Sequence, residues 1–108
     1  MVRERAGASV SGAFWPGQDT QTSLGDRLPT IGKVPMAIYQ DHGGTAASGG
    51  DGYADNTDVH AQLRGLGWRD GCAAGPDAIC YWHEPGATHD ELAWRDRAWR
   101  WLRYFFPG

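Results

Sequence analysis

The sequence predicts an α/β domain built on a parallel sheet of about three strands. Apolar segments at 33–41 and 78–84 are each followed, after a loop, by a segment with helical periodicity, at about 56–66 and 90–106. A further strand is predicted over 8–15, where small, β-branched and aromatic residues precede a Pro-Gly pair. Because strands joined through helices pair in parallel with right-handed crossovers, this order predicts a parallel sheet.

The connections differ in composition. Residues 16–32 show no sustained periodicity and predict a loop, with one helical turn near 23–28. Residues 42–52 are rich in glycine, which is typical either of a linker or of a functional loop that leaves a strand end. The functional loop is favoured because Asp51, Tyr53 and Asp55 close the segment. Residues 68–77 predict a second polar loop.

Two helices follow these loops. The helix at 56–66 has apolar residues at i, i+4 and i+7, and either Asp55 or Asn56 can cap it. The helix at 90–106 has a wide apolar arc, which indicates a helix that packs flat on a sheet. That arc comprises one stripe (Trp94, Ala98, Trp101, Phe105) and a second stripe beside it (Leu92, Trp99, Leu102, Phe106). The arginines of this helix (Arg95, Arg97, Arg100, Arg103) are interpreted as a solvated face.

A chain of 108 residues forms one small domain. We expect the two helices to cover mainly one sheet face and to leave an edge or a face open, so the chain reads as part of a larger domain. The net charge of −3 without a clustered basic face argues against nucleic acid or an anionic membrane as partner. No apolar run reaches the length of a membrane span, and the first residues lack the hydrophobic stretch of a secretory signal. A cytoplasmic location is therefore expected.

The cysteines and the acidic clusters predict neither a metal site nor a cofactor. Cys72 and Cys80 could form a bridge in an oxidising compartment, but free thiols are favoured because two cysteines are too few to indicate one. The cluster around 83–91 (His83, Glu84, His89, Asp90, Glu91) fits no established metal-ligand spacing. The acidic residues at 51–58 likewise disagree with the spacing of a calcium loop.

The residue that carries the functional hypothesis is His89, in a tight turn between the strand at 78–84 and the last helix. Loops at the carboxyl ends of parallel strands are where open α/β sheets place their chemistry. A histidine there can take and return protons near neutral pH. Acidic residues in the glycine-rich loop can meet it above the sheet, and an acid followed later by a histidine is the order of α/β-hydrolase triads.

Four segments carry a resemblance to a known family. They are Tyr39-Gln-Asp-His-Gly43, Asp51-Gly-Tyr-Ala-Asp-Asn-Thr57, the stretch from Pro85-Gly-Ala-Thr-His89 to Pro107, and Ala8-Ser-Val-Ser-Gly-Ala-Phe-Trp15. Together they resemble the C-terminal part of the putative-esterase branch of the α/β-hydrolase superfamily, which includes esterase D-like and siderophore-esterase-like enzymes. The resemblance spans nearly the whole chain. It implies that residues 1–108 are a single incomplete α/β-hydrolase domain.

The resemblance also implies roles for residues. His89 matches the catalytic base, Asp55 is the favoured acid with Asp51 as its near rival, and Asp41 reads as a structural residue. Trp94 and Glu91 match positions just after the histidine and are expected to support the turn and the core. The implied substrate is a small-molecule ester.

The family's nucleophile elbow, Gly-x-Ser-x-Gly, is not found in the sequence. Gly7-Ala-Ser9-Val-Ser11 is a near miss without a helix pattern after it, so neither serine is expected to be the nucleophile. We expect the chain to begin just after the elbow and to be inactive alone, and its possible partners are a complementing chain or a second copy of itself. The alternative is a non-catalytic remnant or interaction module that docks through its open sheet edge.

Overall fold

A computed structural model describes residues 6–12, 28, 30 and 32–107 of the chain. Its elements are β1 (Ala6–Val10), β2 (Ala37–His42), α1 (Tyr53–Leu66), β3 (Arg69–Asp70), β4 (Ala78–His83) and α2 (Glu91–Phe105). The strands form one sheet in the order β1-β2-β4-β3, and every neighbouring pair is parallel. The predicted α/β class with a parallel sheet is confirmed, with a fourth short strand added.

The strand boundaries differ from the predicted ones. β1 ends at Val10, and residues 13–15 of the predicted strand lie outside the described residues. The loop at 16–32 and its helical turn also fall largely outside them. β2 begins only at Ala37, although the backbone N–H of Met36 still donates to the Pro76 carbonyl at 3.0 Å. β3 lies in the predicted polar loop, and two residues are too short to show a strand periodicity.

The two helices pack on opposite faces of the sheet, so the expectation that they cover mainly one face is wrong. On one side, Val59 and Leu63 of α1 form a core cluster with Ile79 of β4. On the other side, Tyr104 of α2 packs with Tyr39 and Cys80. The physical reason is that apolar residues occupy both the odd and the even positions of β2 and β4, which makes both faces need cover.

The start of α1 also corrects a prediction. The helix begins at Tyr53 with Gly52 as its N-cap, and neither Asp55 nor Asn56 caps it. Asn56 is buried one turn into the helix, where its side-chain amide donates to the carbonyls of Gly12 at 2.8 Å and Gly52 at 3.0 Å. This side chain therefore ties α1 to the end of β1.

α2 buries a narrower face than its sequence predicts. Asp90 is its N-cap and accepts a hydrogen bond from the Ala93 N–H at 2.9 Å. The second apolar stripe is exposed at all four positions (Leu92, Trp99, Leu102, Phe106). Arg97 is instead only 3% exposed, so the interpretation of the helix arginines as a solvated face is wrong at this position. Its carboxylate partner, Asp41, lies on β2 beneath the helix.

Cys72 and Cys80 form a disulfide, which corrects the expectation of free thiols. The parallel pairing of β3 with β4 brings Cys72, the second residue after β3, beside Cys80 of β4, and the two Cα atoms lie 4.6 Å apart. The bridge thus fastens the short edge strand to the sheet. In the described part of the chain, no helix is long and apolar enough to cross a membrane.

Candidate active site

The glycine-rich loop and the histidine turn meet at one end of the sheet. They leave β2 and β4, which are adjacent, and the ladder continues past the strands because the Glu84 N–H donates to the His42 carbonyl at 2.9 Å. Beyond it, the Gly44 N–H donates to the Ala87 carbonyl at 3.0 Å, and the Gly86 N–H donates to the Gly44 carbonyl at 3.2 Å. The predicted meeting of the two loops above the sheet is confirmed.

Gly43 lies at the closest approach of the two loops. A Cβ atom built at this position would overlap the carbonyl group of Ala87, so only glycine fits without displacing the turn. The residue also supplies a hydrogen bond, since its backbone N–H donates to Asp51 Oδ2 at 2.5 Å. The sequence therefore places its first glycine after β2 where the His89 turn and the Asp51 loop come together.

Asp51 points inward because of an unusual backbone. Its φ of 47° is in the left-handed region, between Gly50 at 82° and Gly52 at 63°. Glycine adopts this region freely and aspartate more readily than most other residues, so the composition suits the turn. The side chain is fully buried, and Oδ2 accepts hydrogen bonds from the Ser11 hydroxyl at 2.6 Å and from Gly43.

His89 Nδ1 lies 2.8 Å from the other carboxylate oxygen, Asp51 Oδ1. An ionised carboxylate only accepts, so Nδ1 carries the proton and donates it to Asp51, which leaves Nε2 for proton exchange. The His89 side chain is 48% exposed, whereas that of Asp51 is 0% exposed. The Trp94 ring stands edge-on to the imidazole, with centroids 5.1 Å apart, and limits its rotation. A buried carboxylate thus orients an accessible imidazole.

The residues on either side of His89 fix the turn. The Thr88 hydroxyl donates to the Asp90 carboxylate, which also accepts from the Ala93 N–H. These two hydrogen bonds, the first being the stronger cause, lower the pKa of Asp90. Asp90 therefore stays ionised as the cap of α2 and anchors the chain one residue after His89.

The geometry favours Asp51 over Asp55 as the acid. Asp55 is exposed in the first turn of α1, and no hydrogen bond or ion pair joins it to His89 in the described part of the chain. The inward turn at 50–52 precedes the helix, so that the first acid of the loop is buried and the second is carried outward. Asp41 does not reach the histidine either, because it pairs with Arg97.

Two residues that the sequence analysis did not assign to a site belong to this cluster. The Ser11 hydroxyl accepts a hydrogen bond from Arg97 Nη2 at 2.7 Å and donates one to the Asp51 carboxylate. In this arrangement the Ser11 hydroxyl donates to a buried carboxylate and not to His89. No sequence signal marks Arg97, since arginine is common on helices.

A second polar cluster lies on the α1 face of the sheet. His42 Nδ1 lies 2.8 Å from the Gly43 carbonyl, and Nε2 lies 2.5 Å from the Tyr81 hydroxyl. Because the carbonyl only accepts, Nδ1 carries the proton and Nε2 accepts from Tyr81. Burial lowers the pKa of His42, and burial raises the pKa of Tyr81 to about 12. His83 stacks on His42 and has its Nε2 2.7 Å from the Gly44 carbonyl.

Within residues 6–12, 28, 30 and 32–107, no group of three or more His, Cys, Asp or Glu side chains could hold a metal ion. No protein-family model, curated protein or solved structure matches the chain. The function must therefore be argued from the residues of the site.

Proposed function

We propose that the chain is the C-terminal segment of a serine hydrolase that acts on carboxylic esters. His89 is its general base, Asp51 is the orienting acid, and the nucleophilic serine comes from sequence outside this chain. The observation that carries the proposal is the 2.8 Å hydrogen bond between the half-exposed His89 and the fully buried Asp51. An acid–histidine pair of this kind is two-thirds of a catalytic triad.

The chemistry assigns a task to each nitrogen of His89. Nε2 takes the proton of the serine hydroxyl as the serine oxygen attacks the ester carbonyl, and it then gives this proton to the leaving alcohol. In the second half of the reaction, Nε2 takes a proton from the water that attacks the acyl-serine, and it returns this proton to the serine oxygen as the carboxylic acid leaves. Asp51 accepts the hydrogen bond from the Nδ1–H group throughout and so keeps the ring in one orientation.

The open edge of the sheet is consistent with the binding of a segment that completes the domain. In the described residues, β1 is an edge strand that pairs only with β2. An apolar groove lined by Val10, Trp94 and Trp101 lies beside it on the α2 side. A second apolar groove, lined by Met36 and other residues, lies on the α1 side. A parallel strand added at this edge would end beside the carboxyl ends of β1 and β2, where the site lies.

The test begins with the coding sequence upstream of Met1. If it encodes in frame a strand-like run that ends in Gly-x-Ser-x-Gly, the extended chain is assayed with nitrophenyl esters beside the 108-residue chain. We expect turnover only from the extended chain, since removal of the nucleophile leaves little of a triad's catalysis. His89→Ala in the extended chain should lower kcat by about 10³-fold or more, whereas the control His60→Gln should not.

A second pair of variants tests the acid. Asp51→Asn should lower kcat by about 10²-fold or more, because an amide cannot hold the same imidazole tautomer, and Asp55→Asn should have little effect. The proposal fails if the upstream sequence encodes no such elbow, or if the extended chain keeps its activity without His89. A burst of acyl-enzyme from the short chain, lost in Ser11→Ala, would contradict it as well.

The exposed apolar side chains of α2 favour a second candidate function, an interaction module. Leu92, Trp99, Leu102 and Phe106 lie in solvent along one side of the helix, and contiguous exposed apolar surface is typical of contact sites. Such a module would form a stable assembly with a partner, or with a second copy of the chain, and this assembly would not depend on His89. Sedimentation measures the assembly of the unsubstituted chain, of His89→Ala and of Trp99→Ser. An assembly that persists in His89→Ala and is lost in Trp99→Ser favours the interaction module over the hydrolase.

The cytoplasmic location stays a prediction, as does the expectation of no nucleic acid, membrane or cofactor as partner. The Cys72–Cys80 bridge bears on the location, since disulfides persist in oxidising compartments and are rare in the cytosol. Alkylation of the thiols in protein from its natural source measures this directly. Rapid labelling of both cysteines supports the cytoplasm, and complete protection contradicts it.

A further inference from the structure

A chain of hydrogen bonds joins α2 to the His89 site through the centre of the molecule. It runs from Arg97 of α2 to Ser11 after β1, then to Asp51 of the glycine-rich loop, and ends at His89. The three distances are 2.7, 2.6 and 2.8 Å, and only the last residue is substantially exposed. Three segments that are distant in sequence, around residues 11, 51 and 89–97, thus fix one another at the site.

The direction of each hydrogen bond follows from the chemistry of the groups. The Arg97 guanidinium can only donate and the Asp51 carboxylate can only accept, so the Ser11 hydroxyl between them accepts from one and donates to the other. Ser11 is 2% exposed and has a φ of 51°, in the left-handed region that a serine rarely adopts. Its backbone N–H donates to the Asp41 carbonyl at 2.8 Å, which holds it in that conformation.

Arg97 is itself held in place from below. Its Nη2 lies 3.2 Å from Asp41 Oδ1, and its Nε lies 3.2 Å from Asp41 Oδ2. The same Nη2 therefore serves Asp41 and Ser11, while the fork geometry of the guanidinium fixes where it points. A lysine has one nitrogen on a flexible stem and cannot reproduce both contacts with this geometry.

The consequence is a division of labour between the oxygens of Asp51. Ser11 and the Gly43 N–H both occupy Oδ2, which leaves Oδ1 for the Nδ1 proton of His89. Without the Ser11 hydroxyl, one of the two donors at Oδ2 is lost, and the Gly43 N–H alone holds the carboxylate less firmly about its last torsion. A misplaced carboxylate no longer selects one tautomer of the histidine.

We propose that Ser11 and Arg97 are positioning residues for the Asp51–His89 pair, and that they act by fixing the rotamer of Asp51. The catalytic meaning of this inference rests on the proposed function. The chain of hydrogen bonds from Arg97 to His89, called the relay below, does not depend on that function. It can be measured in the 108-residue chain, which needs no substrate and no nucleophile.

The experiment is ¹⁵N and ¹H NMR of the imidazole rings near neutral pH. The chain has four histidines, and His89→Gln assigns the signals of His89 by their loss. In the unsubstituted chain we expect the Nδ1–H tautomer of His89, with a downfield proton signal from the hydrogen bond to Asp51. Ser11→Ala should lose that proton signal and shift the ring nitrogens toward the averaged tautomers of a solvent-exposed histidine.

Arg97→Lys keeps the charge and should give an intermediate result, while Arg97→Met should resemble Ser11→Ala. The controls are Ser9→Ala, a hydroxyl removed two residues earlier in β1, and Arg95→Met, a charge removed from the exposed side of α2. Neither should change the signals of His89. Circular dichroism checks the fold of each variant, and Ser11→Ala carries the test if Arg97→Met does not fold.

Unchanged His89 signals in a folded Ser11→Ala variant would overturn the proposal, because Asp51 would then hold the histidine without the relay. The outcome is separate from the proposed function. A chain without any esterase partner still shows the tautomer shift if the relay acts as proposed. In an active extended chain, Ser11→Ala should lower kcat about tenfold with little change in KM, as expected of a small misplacement.

Discussion

Asp41 and Arg97 bury opposite charges against each other across the interface between β2 and α2. They are 56 residues apart in sequence, and their side chains are 0% and 3% exposed. The Tyr39 hydroxyl adds a hydrogen bond of 2.5 Å to the same carboxylate. Burial, together with this hydrogen bond, raises the pKa of Tyr39, so the hydroxyl stays a neutral donor. The carboxylate is thereby satisfied, but only while the helix stays in place.

Arg97→Met is expected to destabilise the chain by about 3–5 kcal/mol, because it leaves the Asp41 carboxylate buried without its counter-ion. Arg95→Met, two residues earlier on the exposed side of the helix, should change stability by about 0.5 kcal/mol or less. Urea unfolding of both variants measures the difference. In Arg97→Met/Asp41→Asn the buried charge is removed too, so this double variant should recover part of the loss. Equal stabilities of the two single variants would show that the pair contributes nothing.

The Asp41–Arg97 ion pair also shows what the sequence alone cannot predict. Periodicity predicts the helix at 90–106 and nearly its bounds, because it depends on residues three and four apart. It cannot tell that Arg97 faces inward, since the reason is a carboxylate on a distant strand. A solvated arginine and a buried ion pair look the same within one helix.

The candidate site is predictable to a similar extent. His89 is marked by its place between a strand and a helix, and the glycine-rich loop is marked by its composition. The choice between Asp51 and Asp55 depends on a left-handed backbone at 50–52, which glycine permits at several places in that loop. The role of Ser11 depends on two tertiary contacts and has no local signal. The disulfide depends on a strand of two residues that no periodicity reveals.

Removal of the disulfide in Cys72→Ser/Cys80→Ala is expected to lower the free energy of unfolding by about 2–3 kcal/mol, the value for a loop this short. The bridge spans 8 residues and fastens β3 to β4. Thermal unfolding of the unsubstituted chain with and without a reducing agent provides the control. Reduction should reproduce the loss and should leave the double variant unaffected. A reducing agent that destabilises the double variant equally would refute this account.

His42 should make the stability of the chain depend on pH near neutrality. Burial lowers its pKa in the folded state below the ordinary value of 6.5. As the pH falls through 6.5, the unfolded chain binds a proton that the folded chain does not, so the free energy of unfolding falls. Above that pH both states are neutral at His42, and the group contributes no slope.

Urea unfolding at a series of pH values, between about 7.5 and 5.5, measures this slope. His42→Gln keeps a polar side chain that does not titrate, so the slope should decrease even if the overall stability is lower. Asp90 does not interfere, because its pKa is lowered from 3.8 and its contribution is lost only at more acid pH. An unchanged slope in His42→Gln would assign the effect to another group.

Gly43→Ala tests the contact between the two loops of the site. The added methyl group would overlap the carbonyl of Ala87, so the His89 turn must move away from the glycine-rich loop. We expect a destabilisation of about 1–3 kcal/mol, as for other forced contacts in packed regions. The displacement should also weaken the Asp51–His89 hydrogen bond, since the Gly43 N–H is one of the donors that hold Asp51.

Gly65→Ala is the matched control, because nothing lies within 4 Å of its Cβ position in α1. Alanine there should stabilise the helix by about 0.5–1 kcal/mol. Unfolding by urea and the His89 Nδ1–H signal are measured on both variants. If Gly43→Ala matches Gly65→Ala in stability and keeps the signal, the loops are not in the close contact that positions His89.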